Sequence, residues 1–319
     1  MALKNQVLTR LIASRGVFLS GQTLAEEMNV TRGAIWKAVD ALKADGYAVE
    51  SVRNRGYSLI KSPDILRADE IVYLLLKGGQ KTDVLCFDSI DSTNAEARRR
   101  AGALTRPLVI LSDEQTAGRG RSGHSFFSPK RTGLYMTVAL PVSLSLKAAA
   151  LSTQAMAVAA VRAAAETGGP ELSIKWVNDL YLSGLKVAGI LTEAVSDMET
   201  GEVTAVICGI GLNLTTDDFP AELSGVAGAL GALDRNHLAA RIALNFLTLA
   251  RALPSAPWMD EYRAHSMLLG QRIAFVQNGR EYRAMAKTID GEGRLIVTTD
   301  DGGEMVLASG EVSVRPAEN

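Results

Sequence analysis

Residues 115–124, QTAGRGRSGH, decide how the fold is read. They follow RPLVILSDE, a strand-like run, and Gly118, Gly120 and Gly123 fit the pattern Gly-x-Gly-x-x-Gly. A dinucleotide-binding unit needs a helix straight after those glycines and an acid about twenty residues on for the ribose. Neither is present. HSFFSPKRTG carries Pro129 and Gly133 into another strand-like run, and no Asp or Glu occurs from 115 to 165. No Gly-Lys-Ser/Thr follows either, so a P-loop is excluded. What remains is an acid-free loop with Arg119, Arg121, Lys130 and Arg131. Glycines let backbone approach a ligand closely, and guanidinium groups hold phosphate or carboxylate with paired hydrogen bonds. The loop points to an anionic ligand such as a nucleotide or acyl phosphate.

The runs around the loop predict an α+β fold. DVLCFDSI, PLVILSDE, LYMTVALPV, LSIKWV, KVAGILTEAV and VTAVICGIGLNL read as strands. Helical periods cover 93–102, 147–166 and 236–253. Ser183-Gly184 reads as a hairpin turn, so the sheet is expected to be mixed or mostly antiparallel with helices on one side. Residues 63–266 are assigned to this body. The alanine-rich stretch 148–165 contains Ser, Thr, Gln and Arg and reads as a buried helix, with no membrane role.

Residues 1–62 stand apart in charge. Lys4, Arg10, Arg15, Arg32, Lys37, Lys43, Arg53, Arg55 and Lys61 face Glu26, Glu27, Asp40, Asp45 and Glu50, a net +4 inside a chain of net −1. SGQTLAEEMNV and TRGAIWKAVDALKADGY predict two helices around a tight turn, with Thr31 as N-cap and Gly46 as stop. YAVESVRNRGYSLI then predicts a β-hairpin wing. The whole is a winged helix-turn-helix, a DNA-binding module in which Thr31, Arg32, Lys37 and Lys43 on the recognition helix and Arg53 and Arg55 on the wing would meet the duplex. Trp36 falls at helical spacing with Ile35, Val39 and Leu42 and is read as core.

Residues 267–319 carry short strands separated by Asn278-Gly279, Asp290-Gly291 and Asp301-Gly302, which predicts a small β-barrel. Cys86 and Cys208 lie far apart without metal-ligand spacing, and His124, His237 and His265 are scattered. No side-chain metal site is expected. The start of the chain shows no signal-peptide pattern, and a cytoplasmic location is expected.

Two further motifs carry polar chemistry. DSIDSTNAEA puts Ser92, Thr93 and Asn94 where a strand opens into a helix, suited to capping or to binding a polar ring. IKWVNDLYLSGLKVAGIL puts Lys175, Asn178, Asp179 and Lys186 on a strand-turn-strand unit. Lys186 lies among apolar neighbours, so its ammonium either serves a ligand or snorkels at a sheet edge.

In this order DSTN, EQTAGRGRSG, FSP, KWVNDL, LKVAGIL and GIGLNL resemble biotin–protein ligase. With the winged helix in front, the resemblance is to the bifunctional bacterial form that also represses the biotin operon. It covers nearly the whole chain, DRNHLAA and an SH3-like C-terminal barrel included. The resemblance implies that biotin, ATP and Mg2+ give biotinyl-5′-adenylate. A lysine of a biotin carboxyl carrier protein then takes the biotin. It implies that Ser92, Thr93, Asn94 and Gln115 contact the biotin head group. Arg119, Gly120 and Arg121 would wrap the adenylate linkage, with Arg121 retaining the intermediate and Lys186 holding carboxylate and phosphate oxygens. Asn178 and Asp179 would position ATP or magnesium, or form a structural turn. It implies a loop that closes on ligand, and an adenylate-bound homodimer on operator DNA. Ser122, His124, Phe126 and Val177 depart from residues common in that family. A lipoate or octanoate ligase of the same fold, and a biotin-responsive regulator without catalysis, are the alternatives.

Overall fold

The computed structural model describes residues 3–277 and 280–308, and the backbone of 313–316. The Asn278-Gly279 turn lies outside the described residues. The chain opens with α1 (Leu3–Ala13), α2 (Gly21–Glu27) and α3 (Arg32–Ala44), followed by the antiparallel hairpin β1 (Ala48–Val52) and β2 (Gly56–Lys61). Thr31 caps α3 by accepting the Ala34 amide at 3.2 Å, and Gly46 leaves the helix at φ +90°. The wing turns at Asn54 and Gly56, both at positive φ. A side chain at Gly56 would collide with the Leu19 carbonyl, so glycine is required there. Val7, Leu11, Leu24, Ile35, Val39, Leu42 and Leu59 close a small separate core.

After α4 (Ala68–Lys77), the central sheet runs in the order β3 (Asp83–Phe87), β4 (Leu108–Ser112), β5 (Gly133–Leu144), β9 (Val203–Asn213), β8 (Leu185–Ser196), β7 (Asp179–Leu182) and β6 (Ser173–Lys175). The β3–β4 pair is parallel and the others are antiparallel, a mixed sheet as expected. Ser183 and Gly184 make the β7–β8 turn at positive φ. Alternation along the strands sorts the two faces. Val109, Leu111, Val138, Val206 and Cys208 pack toward α7 (Ser152–Glu166) and α8 (Arg235–Ala250), while Leu108, Ile110, Ala139 and Ile207 meet Ala97 of α5 (Thr93–Arg100). The long helices thus share one face, and the short α5 covers the other. The helix α6 (Leu146–Ala150) precedes α7, and most of the 146–166 stretch is buried inside the protein. Small side chains at Ala155, Ala159 and Ala163 let α7 sit deep in the core while favouring helix. Cys86 and Cys208 are unpaired, and burial pushes both thiols up to about 12.

Beyond α9 (Met259–Ala264), the strands β10 (Arg272–Gln277), β11 (Arg280–Ile289), β12 (Leu295–Thr299), β13 (Glu304–Leu307) and β14 (Ser313–Pro316) form an antiparallel sheet in the order β13-β12-β11-β10-β14. Among the described residues β13 and β14 are its edge strands. The sheet joins the central core through Ile273, Phe275 and Val297. The β11–β12 turn reaches further, because the Gly293 carbonyl accepts the Trp176 indole N–H at 2.9 Å.

The DRN sequence that opens α8 ties three parts of the molecule together. Asp234 pairs with Arg15 at 2.8 Å, and Arg235 pairs with Asp113 at 2.6 Å and Asp64 at 2.5 Å. Asn236 accepts the Arg67 amide and donates to the Ile65 carbonyl. Beside them Glu70 is buried, and burial, reinforced by the Asp234 charge, pushes its carboxyl up to about 7. The folded protein therefore keeps this proton where an unfolded chain, at 4.5, has released it. The associated stability is full below about pH 4.5 and is lost as pH rises through 7. Glu70→Gln is expected to be more stable than the parent at pH 8 and to show little difference at pH 4. Urea midpoints at the two pH values check this, and an equal difference at both would contradict it.

Candidate active site and nucleic-acid interface

Loops at one end of β4, β5, β9, β8 and β7 surround a cavity of about 950 Å³. Its lining contains Ser92, Thr93, Asn94, Gln115, Arg119, Gly120, Arg121, Asn178, Asp179 and Lys186, so every predicted ligand-site residue is brought together. Lys130 and Arg131, grouped in the sequence with the loop arginines, are not in the lining. Pro129 and a positive φ at Arg131 turn that segment away, and Arg131 lies 3.8 Å from Asp113.

One end of the cavity is a polar network on a buried base. The Thr93 amide and hydroxyl both donate to Gln115 Oε1, at 2.9 and 3.1 Å, and Gln115 Nε2 donates to Ser128 Oγ at 3.0 Å. Thr137 Oγ1 on β5 lies 2.8 Å from Thr93 Oγ1 and 2.6 Å from Asn94 Oδ1. Asn94 Nδ2 donates to the Leu191 carbonyl and to Glu193. Asn94 is thus fixed on all sides, and a Cβ at Gly209 would overlap its amide. Ser92 caps α5 weakly, 3.5 Å from the Ala95 amide. Fixed donors and acceptors of both kinds, in one place, suit a planar polar head group.

The middle of the cavity has a glycine floor. Gly189 and Gly211 lie under Phe126, whose ring a Cβ at Gly211 would overlap and which meets Tyr135 edge-on at 6.4 Å. The far end is charged. Lys186 Nζ lies 2.8 Å from Asp179 Oδ1, out of hydrogen-bond alignment, so that this buried oxygen keeps an open lone pair. Arg121 donates to Asn178 Oδ1 at 3.0 Å, and Asn178 donates to the Ile190 carbonyl at 3.0 Å. Arg119 is held by Glu193 at 3.4 Å and otherwise faces solvent. Cations at Arg119, Arg121, Lys175 and Lys186 outweigh the carboxylates Asp179 and Glu222 in this lining, so an anion is favoured there.

Sequence reasoning missed Thr137 and Glu193, and it gave no individual role to Ser128, Gly189 and Gly209, which lie inside the motifs FSP, LKVAGIL and GIGLNL. They look like ordinary strand or turn residues until the sheet order places them beside the loop.

On the N-terminal domain, Arg32 and Lys37 project from α3, and Arg53 stands exposed at the wing tip. Arg55 is also exposed, and its guanidinium covers the Phe18 ring at 4.3 Å. Lys43 is drawn back to the wing, donating to Ser51 Oγ. Trp36 corrects an expectation. It is 56% exposed, because the buried stripe of α3 follows Ile35, Val39 and Leu42 and turns position 36 outward. Trp176 and Trp258 are 5% and 3% exposed, so Trp36 is expected to supply nearly all of the iodide-quenchable fluorescence. Trp36→Phe should abolish that fraction, and its persistence in the variant would contradict the assignment.

Three family patterns match the chain: an HTH domain at residues 4–58, the Biotin/lipoate A/B protein ligase family at 84–213, and the Biotin protein ligase C terminal domain at 268–315. The chain is 33% identical over 297 residues to the bifunctional ligase/repressor BirA of Bacillus subtilis, covering 89% of this chain and 90% of that one. It is 30% identical over 324 residues to the bifunctional ligase/repressor BirA of Escherichia coli, covering 98% and 99%. Among solved structures, the biotin protein ligase from Aquifex aeolicus in complex with biotin and ATP superposes with a TM-score of 0.60 at 22% identity, covering 73% of this chain and 99% of that one. At that identity the superposition speaks for the fold.

Proposed function

The chain belongs to the family of bifunctional biotin–protein ligase/repressors, and from that premise we propose that it activates biotin with ATP, passes it to a carrier lysine, and regulates transcription through its winged helix. The observation that carries the reading is the polarity of the cavity: a fixed hydrogen-bonding network at one end and a cluster of cations at the other, with a glycine floor between. A biotin head group fits the Thr93–Gln115 end, and its carboxylate then reaches Lys186.

In the first step a carboxylate oxygen attacks the α-phosphorus of ATP, and pyrophosphate leaves. Two anions must approach, so fixed cations stabilise both the encounter and the charge that develops. Lys186 and Arg121 take that role, with Arg119 released from Glu193 to join them. Magnesium would enter with the phosphates. The Asp179 carboxylate, ion-paired with Lys186 at 2.8 Å, would be the group to meet the waters of a hard cation arriving with them. In the second step the ε-amine of a lysine on a biotin carboxyl carrier protein attacks the acyl carbon, and AMP leaves. Closure of the 116–125 loop over the adenylate would exclude water meanwhile.

The same ligand would license a homodimer to bind operator DNA through α3 and the wing, with Thr31, Arg32, Lys37, Arg53 and Arg55 at the duplex and Trp36 now added to that face. Two unpaired thiols suit the cytoplasm as its location. Calorimetric titration tests the ligand directly. Biotin is expected to bind and octanoate to give no heat, whereas preferential octanoate binding would move the chain to the lipoate branch.

A further inference from the structure

We infer that Lys175 is the cation that receives the pyrophosphate leaving group when the adenylate forms. The inference rests on the ligase reading and goes beyond it, because no step above uses this residue.

Three neighbouring strands set the geometry. Lys175 ends β6 and is register-paired with Asp179 of β7, and Asp179 is register-paired with Gly189 of β8. The space over Gly189 is filled by the end of Lys186, whose Nζ lies 3.5 Å from a Cβ built there. Directly paired residues point to the same face, so Lys175, Asp179 and the Lys186 ammonium form one row across the sheet. The row continues the line from Thr93 and Gln115 past the glycine floor, and Lys175 stands at its far end.

The state of Lys175 also differs from that of the other cations. Arg119, Arg121 and Lys186 each have a polar side-chain partner, in Glu193, Asn178 and Asp179. Among the described residues Lys175 has no carboxylate within ion-pair distance. Its ammonium rests over the Tyr181 ring, 5.6 Å from the centroid, a contact of modest strength. Burial lowers its pKa, opposed by Asp179 and reinforced by Lys186. A half-buried ammonium in the cavity wall, without an acid of its own, gains from an anion that arrives with the substrate.

The chemistry says which anion. When the carboxylate oxygen bonds to the α-phosphorus, the bond from that phosphorus to the bridging oxygen breaks, and its electron pair leaves on pyrophosphate. No proton moves. The attacking carboxylate sits at Lys186, and in-line displacement sends the leaving group away from it. The apolar wall at Pro220, Leu223 and Val226 offers the adenosine a place. The row through Asp179 to Lys175 is then the path for the phosphates. The leaving group carries the most charge in the reaction, so a cation here acts on adenylation and not on transfer to the carrier.

The test separates the two half-reactions in the full-length protein. Biotin-dependent exchange of labelled pyrophosphate into ATP reads adenylation, and carrier labelling from preformed biotinyl-5′-adenylate reads transfer. Lys175→Met is expected to slow exchange by about 10- to 100-fold and to raise the KM for pyrophosphate, the range expected when a charge-assisted hydrogen bond is lost. Transfer from the preformed adenylate should fall by no more than about threefold, and Lys175→Arg should recover most of the exchange. Exchange at the parent rate, or a loss of exchange and transfer in equal measure, would overturn the inference. Absence of biotin-dependent exchange in the parent protein would instead overturn the ligase reading on which it rests.

Discussion

Lys186→Met is expected to slow formation of the adenylate by about 100- to 1000-fold, the scale seen when one preorganised donor to a developing charge is removed. The lysine holds a fixed position at the charged end of the cavity, 2.8 Å from Asp179. Its removal has two effects of the same sign. The carboxylate and α-phosphate lose a shared counter-charge, and Asp179 is left as an uncompensated anion beside the incoming phosphates. The hydrophobic core under β8 is untouched, since Val187, Ala188 and Ile190 carry it. Single-turnover quench of adenylate from biotin and ATP is the measurement, with Lys186→Arg expected to recover part of the rate. A change below about threefold would remove Lys186 from the chemistry.

Arg235→Met is expected to cost about 3–5 kcal/mol of stability, the usual penalty for leaving a buried charge without its partner. Arg235 and Asp113 are both 3% exposed and pair at 2.6 Å, while Asp64 on the other side of the guanidinium is largely in water. The energy therefore resides in the buried Asp113, left with only the exposed Arg131 at 3.8 Å. Adding Asp113→Asn to the variant should return a substantial part of the loss, because the buried charge is then gone. Guanidinium unfolding midpoints of the single and double variants are the measurement. A single variant within about 1 kcal/mol of the parent, or a double variant less stable than the single, would contradict this account. Arg235 also holds the Asp64 carbonyl at 3.0 Å, so the strap between the N-terminal domain and the central sheet should loosen with it.

How much of this was legible in the sequence depended on whether the signal was local. Thr31, Gly46 and the Asn54–Gly56 turn announced the winged helix because caps and positive φ angles restrict residue type at the position itself. The Ser183-Gly184 hairpin was readable for the same reason. The arginines of residues 115–124 were readable because an acid-free glycine loop has few uses. Trp36 was misread because its neighbour Ile35 is buried, and only the phase of α3 decides which of two adjacent residues faces water. Thr137 and Glu193 left no local mark, since each matters through a partner more than forty residues away in sequence, Asn94 being shared by both. The buried Arg235 pairing was equally hidden: DRNHLAA shows a capping aspartate, and nothing in it names Asp113.

The central claim is ATP-dependent transfer of biotin to a lysine, and carrier labelling tests it most directly. The full-length protein is incubated with Mg·ATP, an apo carrier domain and either labelled biotin or labelled octanoate. The account predicts label on the carrier from biotin, dependent on ATP, and none from octanoate. Octanoate transfer would contradict the substrate while leaving the fold, and no transfer from either, with biotin bound, would leave a regulator in which these residues no longer catalyse.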